Sequence, residues 1–166
     1  MTDLPAAIVF EPLYPGVIAP ERATLGAAGY DVRAHLEGRT VRVSRADGVG
    51  EIELRGVQLQ LAPGDVALVP LGFRARLPEG FEAQVRLRSS IAFKRGLVLP
   101  NAPGTIDADY PDEWLVMVKN VSACATYIDH GERIAQVVLN RYAVLPWVTG
   151  TVRRSTDRRG GFGSTG

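Results

Sequence analysis

The sequence points to an all-β domain, a distorted sandwich or barrel of jelly-roll type. Apolar and polar residues alternate in "VQLQL" (57–61) and "FEAQVRL" (81–87), and a strand sends successive side chains to opposite faces. Short apolar runs elsewhere are separated by Gly/Pro turns rather than by helix-length segments. Only "SSIAFKRG" (89–96) carries a helical turn.

In chain order, "AAGYDVRA" (27–34) is a turn entering a strand, with Gly29 and Asp31 around an exposed-looking Tyr30. Residues 35–56 form a β-excursion or long hairpin whose tip is "ADGVG". "VQLQL" puts Val57, Leu59 and Leu61 on one face, and "FEAQVRL" does the same with Phe81, Ala83, Val85 and Leu87. "VALVPLGF", "WLVMV" and "IAQVVL" are apolar runs of strand length. Turns fall at "APGD" (62–65), "LPEG" (77–80) and "DHGE" (129–132). The chain divides into a single β domain over 1–150 and a C-terminal arm over 151–166. The arm is nearly devoid of apolar residues and is expected to lie outside the core, mobile without a partner.

With 166 residues the chain can bury a full core. A net charge of +1 provides no global field to attract nucleic acid or a membrane, so any affinity for anions must be local. The lone Cys124 excludes an internal disulfide and a cysteine-rich zinc site, and its place in "VSACATY" suggests a buried, inert thiol. The N-terminus has no basic flank followed by a long apolar run, and no stretch approaches the roughly 20 apolar residues that span a bilayer. A cytoplasmic location is expected.

Several phrases are poorly explained by packing. In "RLRSSIA", Arg88, Ser89 and Ser90 end a strand and open a helical turn, which offers either an anion cradle or a simple serine N-cap. "LPNAPGTIDADYPDEW" has a turn at Asn101–Gly104 and then Asp107, Asp109, Tyr110, Asp112 and Glu113. Asp107 follows Ile106, and in a partly apolar setting its carboxylate suits a general base. Tyr110 can join Asp107 over one ligand only if the chain bends between them. The acids do not complete an all-protein Mg²⁺ cage. Gln136 interrupts an apolar strand, either to reach a polar ligand or as a satisfied buried amide. The tail "DRRGGFGSTG" combines glycines that allow close approach to phosphate, the hydroxyls of Ser164 and Thr165, and the ring of Phe162. Together these ask for a ligand with an aromatic base and several phosphates.

"AAGYD", "RSSIA", "GTIDADY", "RIAQ" and "GGFGSTG" lie in this order over residues 27–166. They resemble the five ordered motifs of the trimeric deoxyuridine triphosphate nucleotidohydrolases (dUTPases). The resemblance implies a jelly-roll-like subunit in a homotrimer, with active sites at subunit interfaces, and Mg²⁺-dependent hydrolysis of dUTP to dUMP and pyrophosphate. It gives Asp107 the activation of water and Tyr110 the packing against deoxyribose. Asn101 and the hairpin backbone around Gly104 would read uracil. Arg88, Ser89, Ser90 and Gln136 would contact the phosphates, with Asp31 supporting them. The tail would close over the nucleotide of another subunit's site, Phe162 over uracil and Gly163, Ser164 and Thr165 near the γ-phosphate. Mg²⁺ would be held by phosphate oxygens and waters, without direct protein ligands. The motif's arginine falls on Arg158 or Arg159 according to register. Pro111 and Asp112 depart from the family's usual third motif. Rival readings are a dCTP deaminase of the same superfamily, possibly bifunctional, and a non-catalytic nucleotide-binding β-scaffold.

Overall fold

The computed structural model describes residues 7–157. Two five-stranded antiparallel sheets face each other. One has the order β10 (Leu97–Val98), β12 (Leu115–Asn120), β7 (Val66–Pro70), β4 (Thr40–Arg45), β5 (Gly48–Glu53). The other runs β11 (Gly104–Ile106), β9 (Phe81–Leu87), β14 (Arg133–Arg141), β3 (Gly29–Arg33), β2 (Glu21–Arg22). Two separate strand pairs complete the fold, β1 (Val9–Pro12) with β8 (Phe73–Arg76) and β6 (Gln58–Leu61) with β13 (Thr126–Asp129). The architecture is an open sandwich and not the closed barrel also entertained from sequence. The outermost strands β10 and β2 have two residues each, too few ladder bonds to zip one sheet onto the other.

Alternation builds the core as expected. Leu59 and Leu61 of β6 are fully buried, as are Val116 and Val118 of β12. Val57 does not join them: the ladder with β13 begins at Gln58, opposite Asp129, and Val57 is left exposed. "VALVPLGF" is two strands rather than one, because the chain turns at Leu71 and Gly72 before Phe73 opens β8. The 35–56 excursion is the β4–β5 hairpin, with Arg45 opposite Gly48 across a two-residue loop. Gly48 takes a φ of 126°, which L side chains rarely adopt, and so closes the loop without strain.

Two polar centres fix loops from inside. Asn120 is fully buried; its Nδ2 donates to the carbonyls of Leu61 (3.0 Å) and Cys124 (2.8 Å), and its Oδ1 accepts from Ser122 N–H (2.9 Å). This amide turns residues 121–125 outward, so Cys124 is exposed and not buried as its small, apolar neighbours suggested. The second centre joins the β3–β4 connection to the turn at 129–132. His130 Nδ1 accepts the backbone N–H groups of Leu36 (3.0 Å) and Glu37 (3.1 Å). The His35 ring stacks on Tyr14 at 4.6 Å and meets His130 edge-on at 5.0 Å. Arg39 forks onto Glu113 (2.9 and 2.6 Å), whose Oε1 also accepts Gly72 N–H (2.7 Å).

Replacing Asn120 with alanine strands several of these groups and is expected to destabilise the fold by about 2–4 kcal/mol. Denaturant unfolding measures it, and an unchanged midpoint would refute the role. Burial, His130 and Arg39 lower the pKa of His35 from its usual 6.5. The unfolded chain therefore takes up the proton first, and stability present above pH 6.5 is lost as the pH falls below it. His35→Gln should flatten this acid loss of melting temperature; an equal loss in both proteins would exclude it.

Candidate active site

Where β9 ends, Arg88 keeps an extended backbone (φ −69°, ψ 137°) and becomes the N-cap of α1, Ser89–Arg95. Its carbonyl accepts the N–H groups of Ile91 (3.0 Å) and Ala92 (3.1 Å). Buried Ile91 anchors the helix, and Gly96 in the left-handed region (φ 61°) ends it after seven residues. The serine N-cap weighed from sequence is not formed: Arg88 holds that position, and no side chain caps the first turn. Ser89 and Ser90 are therefore exposed with their hydroxyls uncommitted to the helix.

Arg88 is tied to β14 and β3. Its N–H donates to the Ile134 carbonyl (3.1 Å) and its NH1 to the Arg133 carbonyl (3.2 Å). Its Nε lies 3.5 Å from Asp31 Oδ1, while Arg133 NH1 donates to Asp31 Oδ2 at 2.9 Å. One carboxylate thus serves two guanidinium groups. Cross-strand pairing sets Arg86, Gln136 and Asp31 in one row on the outward face of the sheet. The Gln136 amide is half-buried and has no hydrogen-bond partner among the described residues, so it is not a satisfied core amide. Tyr30, between Gly29 and Asp31, is half-buried rather than exposed, with Arg22 over its ring at 6.0 Å.

Sequence reasoning did not single out Arg133. On a regular strand Ile134 would share the outward face of Gln136 and Arg133 would not. The ladder shifts register between Arg133 and Ala135, so Ile134 and Ala135 are both buried and the preceding arginine turns toward Asp31. The signal available was a charged residue opening a run, "RIAQVVL", that otherwise reads as apolar but for Gln136.

The second group lies on the segment linking the sheets. β10 belongs to one sheet and β11 to the other, so residues 99–103 cross between them with Asn101 exposed in the turn. A Cβ on Gly104 would stand 3.3 Å from both Asn101 Nδ2 and Val85 Cβ, so glycine lets the amide lie close over the strand. Beyond β11, the Asp107 carbonyl accepts Tyr110 N–H at 3.2 Å. This supplies the bend that Tyr110 requires to approach Asp107. Asp107 is exposed, not in the partly apolar setting anticipated, and no partner among the described residues holds its carboxylate. The strand has ended by this residue, and the solvent side of the turn carries no apolar cover. The Tyr110 hydroxyl has its pKa raised, first by burial and then by Asp112 and Glu113. Glu113 is committed to Arg39 and Gly72, so the acids of 107–113 divide into one structural member and a set free to meet solvent. No three His, Cys, Asp or Glu among the described residues are grouped to hold a metal.

The two groups are far apart in one chain. Ile106 pairs with Ala83 at the start of β9, and Arg88 follows its end. At about 3.3 Å per residue, Asp107 and Arg88 stand roughly 17–20 Å apart along the sheet. Arg158, Arg159, Phe162, Gly163, Ser164 and Thr165 lie outside the described residues.

The family model for dUTPase matches residues 56–166. The deoxyuridine 5'-triphosphate nucleotidohydrolase of Desulfotalea psychrophila is 42% identical over 148 residues, 89% of this chain and 86% of that one. Among solved structures, a variant of the Staphylococcus bacteriophage 80alpha dUTPase with dUpNHpp superposes with a TM-score of 0.75. It is 22% identical, with 96% of this chain and 98% of that chain covered. A variant of the dUTPase of S. aureus phage phi11, described with a structural Mg(II) ion, superposes with a TM-score of 0.68 at 18% identity over 90% of this chain and 99% of that one. With a match over two thirds of its length and a relative this similar along nearly all of it, the chain belongs to the dUTPase family.

Proposed function

We propose that the protein hydrolyses dUTP to dUMP and pyrophosphate, limiting uracil incorporation into DNA and supplying dUMP for thymidylate synthesis. The observation that carries this reading is the uncommitted carboxylate of Asp107, in "GTIDADY", at the bend leading to Tyr110. Asp107 takes a proton from water as its oxygen bonds to the α-phosphorus. The bond from that phosphorus to the bridging oxygen breaks, and pyrophosphate leaves with the electron pair. Tyr110 packs against the deoxyribose, and its hydroxyl, with a raised pKa, stays protonated at neutral pH. Asn101 and the backbone about Gly104 read uracil.

Arg88, Ser89, Ser90 and Gln136 receive the phosphate chain, with Asp31 fixing the Arg88 guanidinium. Positioning and preorganised donors then account for much of the rate. Mg²⁺ would be carried by triphosphate oxygens and waters rather than by a protein cage. When bound, it orients the triphosphate and neutralises charge growing on the leaving group.

The assembly is a homotrimer with sites between subunits. The distance from Asp107 to Arg88 supports this, because one nucleotide meets both groups most readily when different copies supply them. Residues 142–157 add support: they form no strand, and Val144, Leu145, Trp147 and Val148 are exposed, an apolar run suited to a neighbouring copy. The body over 1–150 carries the site, and the arm over 151–166 acts as its lid. Phe162 covers uracil, Gly163, Ser164 and Thr165 meet the γ-phosphate, and Arg158 or Arg159 adds charge. No helix among the described residues is long and apolar enough to span a membrane. The setting is cytoplasmic.

Pyrophosphate released from dUTP with Mg²⁺, and no ammonia from dCTP, is the expected result; ammonia would restore the deaminase, and binding without turnover the scaffold. Asp107→Asn should lower kcat by about 10²–10⁴-fold while a non-hydrolysable dUTP analogue still binds; near-normal turnover would remove Asp107 from the chemistry. Deleting 158–166 should cut kcat at least tenfold, a gating loss, with the oligomer's mass by light scattering unchanged. Dissociation of the oligomer would instead make the tail part of the assembly.

A further inference from the structure

The geometry points to Gly29 as a positioning residue for the amide of Gln136, a role that rests on the reading of Gln136 as a phosphate contact. Gly29 is buried within β3 and takes no positive φ, so the backbone does not call for glycine there. A glycine inside a strand weakens it, and such a position asks for a reason. Here the reason is the neighbouring side chain. A Cβ on residue 29 would fall on Gln136 Oε1 and stand 2.9 Å from its Cδ and 3.0 Å from its Cβ.

Gln136 is opposite Asp31 in the ladder, and Gly29 is two residues before Asp31 on the same face of β3. The side chain therefore leans diagonally from β14 over the β3 backbone, into the space that glycine leaves. Leaning this way takes it away from Arg86, its other cross-strand neighbour. The amide has no hydrogen-bond partner among the described residues, so nothing polar holds it; the fit against Gly29 does. Both N–H donors stay available on the face where the Asp31–Arg88–Arg133 cluster gathers positive charge. Any side chain at 29 swings the amide out of that place, and the far end of a flexible glutamine can yield without unfolding the sheet.

A double-mutant cycle tests the assignment. Steady-state kinetics with dUTP and Mg²⁺, and melting temperatures, are measured for the parent, Gly29→Ala, Gln136→Ala and the double variant. Each single change is expected to lower kcat/KM by about ten- to a hundredfold, the worth of one hydrogen bond to a charged group. The double variant should be no slower than Gln136→Ala, because once the amide is gone the methyl at 29 meets only the Cβ of residue 136, at 3.0 Å, and displaces no phosphate contact. Losses that multiply, or parent kinetics in Gly29→Ala beside a crippled Gln136→Ala, would overturn the inference while sparing the role of Gln136. Normal turnover by Gln136→Ala would overturn that role and the inference with it. Should Gly29→Ala fail to fold, the double variant should fold, since the clash is with the Gln136 side chain; failure of both would make Gly29 a packing residue only.

Discussion

The hydrogen-bonded register of β9 is the constraint on which the rest of the candidate site depends. β9 pairs with β11 on one side and β14 on the other. It thereby fixes the turn carrying Asp107 near its beginning and the row of Arg86, Gln136 and Asp31 toward its end. A slip of one residue would exchange its faces, sending Ala83 and Val85 to solvent and Gln84 and Arg86 into the core. The alternation of "FEAQVRL" forbids such a slip. The same sequence feature that buries the sandwich core therefore sets the spacing of the chemical groups.

At the far end of that strand the problem is electrostatic. Arg88 and Arg133 converge beside a strand that also carries Arg86, and Arg133 stands directly opposite Arg33. Like charges so placed destabilise a sheet unless an anion lies among them. Asp31 is that anion for Arg88 and Arg133, and Arg33 is drawn aside to the Gly131 carbonyl at 2.9 Å. A single carboxylate shared by two guanidinium groups leaves positive charge in excess. Such a cluster is stable in the free chain and still attractive to a polyanion. Asp31 is thus structural and electrostatic at once, which explains why an acid can belong in the end proposed to bind phosphate.

Much of this was legible in the residues, and the failures have common causes. Alternation located β6 and β9, a short apolar run located β12, and Gly/Pro turns located the bends, because each follows from local sterics and composition. The ordered motifs singled out Asp31, Arg88, Asp107 and Gln136 as candidates. Arg133 was missed because a bulge changes the face a residue occupies without changing the composition around it. Cys124 was misread because the amide that turns its loop outward, Asn120, lies four residues back and reaches across to Leu61. Gly29 carried no hint of its neighbour, since the contact with Gln136 joins residues more than a hundred positions apart in sequence. Local periodicity reports which face a residue takes, not what meets it there.

The exposure of Asp107 follows from the same topology. A carboxylate placed just beyond a strand end, on a turn between sheets, is left open to solvent by its own chain. For the base proposed at Asp107, cover would have to arrive with the substrate, from the nucleotide and from whatever closes over it. The free chain then keeps its charge hydrated and avoids the cost of burying an unpaired carboxylate. An open turn in the single chain is therefore compatible with the proposed base acting in a closed site, and under that proposal catalysis depends on assembly and lid closure rather than on the fold alone.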